Sequence, residues 1–207
     1  IANWRQARRD FTAYLETFDP DWTGFTGNSR QKTINPPPPG EHIINARYKL
    51  AEAMIKQHDP RGKWQAEDLI RMLMAEKDAR DLHKDLIRDT RWLIIQSYNM
   101  PNPRADHLEM AIKACEDFLK HHPKSPRSIK AAYNIARTYE THKRASDAID
   151  AYRSFIKGDT YSLPDDDTAT SRHPDLGLTP AALKESWTQT ALYRIGAIQF
   201  QQHDYDT

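Results

Sequence analysis

The 207-residue chain is poor in cysteine and glycine, has no long apolar run and carries no surplus of basic charge. Each scarcity excludes something. A single cysteine, Cys115, cannot close an intrachain disulfide, so the fold must stand on its hydrophobic core. Seven glycines leave no phosphate-binding loop and no dinucleotide fingerprint. They are also too few for the turns that many short strands would need. No stretch of about 18 consecutive apolar residues occurs, so no membrane-spanning segment is expected. Thirty Lys and Arg face 29 Asp and Glu, a formal net charge of +1. Nucleic-acid binders draw most of their affinity from neutralising phosphates, so no nucleic-acid partner is expected. The cluster of Arg5, Arg8 and Arg9 reads instead as one solvated helix face. No charged-then-apolar leader is visible, and the chain opens on Ile1, Ala2, Asn3 and Trp4. It reads as a processed product or a piece of something longer.

What is present is helical spacing. Apolar residues recur three and four apart almost throughout, which predicts an all-α protein built from amphipathic helices. Trp4, Ala7, Phe11, Tyr14, Leu15 and Phe18 form the first stripe, an N-terminal helix over 1–18. Asp19-Pro20 ends it, because a proline ring disfavours helix in the residue before it. A connector over 19–40 follows, closing on Pro36 to Pro39 and Gly40, and reads as a stiff spacer. Trp22 and Phe25 within it are expected to pack back on the chain's own helices.

From 41 to 157 the helices come in pairs. One pair places Ile44, Tyr48, Ala51 and Ile55 opposite Trp64, Leu69, Ile70, Leu73 and Met74, with a turn over 59–62. A helix from about Arg80 to Tyr98 is expected to bury Leu82, Leu86, Leu93 and Ile94. Its successor presents Leu108, Ala111, Ile112, Cys115, Phe118 and Leu119. Asn102-Pro103, Ser125-Pro126 and Thr179-Pro180 each set a capping oxygen before a proline suited to the first helical position. An inserted loop over 158–179 and the start of a further, truncated hairpin over 180–207 complete the chain. Loops of that length without structure of their own tend to be functional or disordered.

Between Ala111 and Ile156 the pattern sharpens. Tyr133, Asn134-Ile135-Ala136 and Tyr139 mark one helix, and Ala148-Ile149 and Tyr152 mark the next. Ala148-Ile149 lies 37 residues after Ala111-Ile112, near the tetratricopeptide period of about 34. This pattern resembles the tetratricopeptide repeat superfamily, and Tyr193, Arg194, Ile195 and Gly196 return to it. Lys143 stands where the family's turn glycine would be. The resemblance implies an α-solenoid of stacked antiparallel helical hairpins forming a right-handed superhelix. Such hairpins cannot bury their apolar faces alone, so neighbours must stack. A continuation of the chain, or another chain, is therefore expected over the helix holding Leu192, Ile195 and Ile198.

The phrasing Phe118 to Pro126 looks most like bacterial envelope proteins. These include outer-membrane assembly lipoproteins, cell-division coordinators and large α2-macroglobulin-like proteins. The resemblance thus favours periplasm or cell envelope over cytoplasm. It implies a scaffold that binds a segment of another protein, or of its own longer chain, on a concave face. The alternative is the non-catalytic helical region of a larger cell-wall glycan enzyme or protease trap. Carried onto this sequence, the binding positions are Trp92, Gln96, Asn99, Lys130, Tyr133, Asn134, Arg137, Glu140 and Arg194. Trp92 and Gln96 stand where a carboxylate clamp would need Lys and Asn, so no such clamp is expected.

No enzyme is expected. Cys115 sits among apolar positions and reads as a small buried hydrophobe rather than a nucleophile. The nine histidines show no His-Glu-x-x-His and no helical i, i+4 pair, and His121-His122 reads as a solvated turn. Asp165 to Asp167 lack the alternating ligands of a calcium loop. Catalytic, cofactor and metal residues are accordingly assigned to none.

Overall fold

The computed structural model describes residues 3–19, 22, 42–75, 81–163 and 179–203. These form eight α-helices and one short 3-10 turn, and adjacent helices pack on one another; no strand occurs among the described residues. Two compact units result, 1–97 and 98–207. The calcium-like run at Asp165 to Asp167, the proline run at 36–39 and Phe25 lie outside the described residues.

The first unit holds α1 (Trp4–Phe18), α2 (Ile43–Lys56), α3 (Arg61–Ala75) and α4 (Lys84–Ser97). Asn3 starts α1 by accepting the Gln6 N–H at 3.2 Å, and Asp19 ends it in extended backbone before Pro20. Arg8 meets Asp59 at 2.9 Å and Arg47 meets Asp19 at 2.6 Å. Those two ion pairs join opposite ends of α1 and α2, so the helices run antiparallel. Trp22 packs back as expected: it is 9% exposed, clusters with Leu15, Ile43, Leu50 and Met54, and directs its indole N–H toward Gln65. Ala66 of α3 shares a cluster with Leu93 of α4, while Leu69 and Leu73 share one with Ile87. Hence α3 and α4 are antiparallel. Ile44 and Tyr48 join Ile87, while Ala51 and Ile55 join Leu93, so α2 and α4 run in the same direction.

Three expectations in this unit need correction. Trp64, Met74 and Leu82 are exposed by 62%, 38% and 78%. The buried stripe of α3 is Gly62, Ala66, Leu69 and Leu73, and Trp64, two residues from both Gly62 and Ala66, lies on the opposite side of the helix. Leu82 lies in a helical stretch at 81–82 that a turn at His83 separates from α4, which starts at Lys84; Arg80 lies outside the described residues. Arg61 and Gly62 belong to α3 rather than to the turn. Asp59 accepts the Arg61 N–H at 3.0 Å, so Asp59-Pro60 is a further capped helix start.

The second unit holds the 3-10 turn Ala105–His107, then α5 (Leu108–His121), α6 (Ser128–Thr141), α7 (Ala145–Lys157) and α8 (Pro180–His203). Thr179 accepts the Ala182 N–H at 3.3 Å, as expected of a capping oxygen; Ser125 accepts the Arg127 N–H at 3.3 Å in the turn before α6, which itself begins at Ser128 without a side-chain cap. Asn102-Pro103 behaves differently. It leads into the 3-10 turn, and α5 begins without a side-chain cap.

Helix ends repeat one device. Asp59 donates its N–H to Met54 O, Arg144 to Tyr139 O and Asp159 to Ser154 O. The residue before each donor is left-handed: His58 at φ 56°, Lys143 at 58° and Gly158 at 77°. These are Schellman closures, which satisfy orphan carbonyls and turn the chain back on itself. Lys143 thus adopts the conformation its glycine counterpart would take.

Contacts fix the directions here too. His142 reaches Pro103 O and Arg144 pairs with Glu109, so α5 and α6 are antiparallel. Tyr133, early in α6, touches Phe155, late in α7, so these two are antiparallel as well. Early Tyr133 meets Trp187 and late Glu140 meets Arg194 of α8; α6 and α8 therefore run in the same direction. Ala111, Ile112, Cys115, Phe118, Leu119, Ala132, Ala136, Ala148, Tyr152 and Phe155 are buried between them.

Candidate functional site

Helix α6 repeats its outward positions every three or four residues, and the parallel α8 lies beside them. Tyr133 stacks on Trp187 with centroids 4.8 Å apart and rings 29° from parallel. Its edges meet Tyr152 at 5.9 Å and Phe155 at 5.3 Å. Further along α6, Glu140 accepts the Tyr152 hydroxyl at 2.6 Å and an Arg194 N–H at 3.0 Å. Arg137 stands 3.8 Å from the same carboxylate. One anion therefore ties α6, α7 and α8 together, and two guanidiniums flank it at the surface.

Burial pushes the Tyr133 phenol up from its ordinary pKa. Burial first, and donation to Glu140 second, push Tyr152 up further. Both phenols stay neutral at physiological pH, and neither is poised for proton transfer. These stacking and charge-assisted hydrogen-bond contacts are made within the chain and fix α6 against α7 and α8.

The structure brings together Tyr133, Arg137, Glu140 and Arg194, with Lys130 half-buried on the same helix. Asn134 is 8% exposed and packs inside the second unit. Asn99 is exposed, left-handed at φ 57°, and donates to Asn102 O at 3.4 Å. Trp92, 3% exposed, and half-buried Gln96 belong to the first unit. Trp187 is not among the positions the repeat pattern nominates. Its signal is nonetheless present: it lies seven residues before Arg194, hence on the same face of α8.

Cys115 is fully buried, and that burial, with Glu116 adding, drives its thiol well above the ordinary range. Among the described residues no group of three or more His, Cys, Asp or Glu is placed to hold a metal ion, and no helix is long and apolar enough to cross a membrane. Comparison with protein-family models, with curated proteins and with solved structures finds no match to this chain.

Proposed function

We infer that this chain is a tetratricopeptide-like interaction scaffold, in which hairpins stack as a solenoid and the face shared by α6 and α8 holds an extended or helical segment of another protein. The observation that carries the reading is the parallel pairing of α6 with α8 across Tyr133–Trp187 and Glu140–Arg194. In a stack of antiparallel hairpins, every first helix runs the same way and the first helices form one continuous face. The parallel α2 and α4 follow the same rule in the first unit. Aromatic area supplies affinity at such a face, and paired charges fix register.

The test is site-specific photo-crosslinking. A photoreactive residue replaces Arg137, and another replaces Glu185 on the exposed side of α8 as control. The expected result is a discrete protein adduct from position 137, absent from 185 and lost when Arg194→Glu is added. Equal labelling from both positions, or labelling indifferent to Arg194→Glu, contradicts the proposal.

A further inference from the structure

A second surface lies on the other side of the same unit. Helices α5 and α7 both pack on α6, and between them runs a groove of about 670 Å³. Its floor is apolar, with Ala132, Ile135 and Tyr139 of α6, Leu119 of α5 and Ala151 of α7. Two alanines keep that floor low, which leaves depth for a side chain of leucine size. The rim is acidic. Glu116 comes from α5, Asp147 and Asp150 from α7, and Asp159 from the end of α7, with Lys120 alone of opposite sign.

Two of those four carboxylates, Glu116 and Asp159, stand outside any ion pair among the described residues. Arg144 engages Asp147 at 2.6 Å, and Arg153 reaches Asp150 only at 3.6 Å across exposed side chains. Burial, then the neighbouring Asp117 and Glu109, raise the Glu116 carboxyl above its ordinary pKa. One end of the groove already shows how it treats a cation. The Arg144 guanidinium lies 4.8 Å over the Tyr139 ring, between the carboxylates of Asp147 and Glu109. The remaining length offers the same pairing of apolar floor and carboxylate rim.

We propose that the α5–α7 groove docks a basic segment of a partner protein, with lysine or arginine flanking one aliphatic side chain that enters the floor between Ala132 and Ala151. Charge complementarity selects that occupant. This site is independent of the α6–α8 face, and either can fail without the other.

The test uses the 207-residue chain and a fluorescein-labelled probe peptide, Arg-Lys-Leu-Lys-Arg, read by fluorescence anisotropy. Two further probes replace its leucine with glycine or all its cations with glutamate. The leucine peptide is expected to bind several-fold more tightly than the glycine peptide, and the acidic peptide not at all. Asp150→Lys with Asp159→Lys alters only exposed side chains and is expected to weaken binding about tenfold. Ala151→Leu fills the floor and is expected to remove the preference for leucine while leaving the far-ultraviolet circular dichroism unchanged. Glu185→Lys on α8 makes a charge change elsewhere and is expected to leave binding as it was. Equal affinity for the leucine and glycine peptides, or equal weakening by Glu185→Lys, would show general electrostatic attraction and overturn the proposal. So would a concentration-dependent oligomer that excludes the probe, since the groove would then belong to a second copy of the chain.

Discussion

At the scale of single residues, the buried phenols and the thiol set the chain's response to alkali. Burial holds the Tyr161 phenol up at about 12, and Tyr152 and Cys115 are shifted in the same direction. A group that binds its proton more tightly in the folded state stabilises fully below its unfolded pKa. That contribution is lost as pH rises through the folded value. Stability should therefore hold near neutrality and fall from about pH 9 upward, where unfolded thiols and then unfolded phenols begin to ionise. Urea titrations at successive pH values should show this decline, and Tyr161→Phe should make it shallower. A Tyr161→Phe chain that declines as steeply as the parent would count against the assignment.

Residue roles were unevenly legible in the sequence. Leu15, Leu69, Leu73 and Phe118 follow the helical period and are buried as the period requires. Arg47 breaks the rule, since it occupies a buried stripe with Ile43, Ala46 and Leu50. It is held there by Asp19 at 2.6 Å and Asp68 at 3.1 Å. A charge at a core position is itself a readable signal of a buried pair, but its partner 28 residues away is not. Glu140 is similar. The repeat pattern placed it on the outward face, yet only the fold shows it joining three helices.

At the scale of helices, starts were the easiest feature to read and internal stripes the hardest. Capping oxygens act locally, so Thr179 could be recognised from its neighbours alone. Trp64 could not, because it lies two residues from both Gly62 and Ala66, which face the core, and so points away from it. Gly62 sets how near α3 lies to α2: a Cβ there would fall 2.8 Å from Ile55 Cγ1 and from its backbone nitrogen. Gly196 is the opposite case, on an exposed face of α8 where an added Cβ would meet nothing within 4 Å. The same substitution should therefore have opposite signs. Gly62→Ala should destabilise by about 1–3 kcal/mol, as overpacking does. Gly196→Ala should stabilise by about 0.5–1 kcal/mol through helix propensity. Thermal and urea unfolding of the two variants checks both signs. Leu192, Tyr193 and Phe200 near Gly196 are also exposed, so the added methyl disturbs no packed neighbour on this part of α8.

At the scale of the molecule, the sequence announced an all-α protein because nothing else fits its spacing, its few glycines and its capped starts. Pairing directions needed the contacts. Periodicity says which side of a helix is apolar, but not which neighbour covers it. Tyr133 with Trp187 and Glu140 with Arg194 supply that link in the second unit, and the two clusters built on Leu93 and Ile87 supply it in the first. The α5–α7 groove was invisible in the sequence for the same reason, since Glu116, Asp150 and Asp159 are spread over two helices and a turn. Direct evidence for the scaffold reading would come from amide hydrogen exchange, measured by mass spectrometry on the chain alone and on its complex with the protein recovered through position 137. Slowed exchange over 128–141 and 180–203 in the complex is the predicted result. Protection confined to 4–18 and 43–97, with those two helices unchanged, would contradict it.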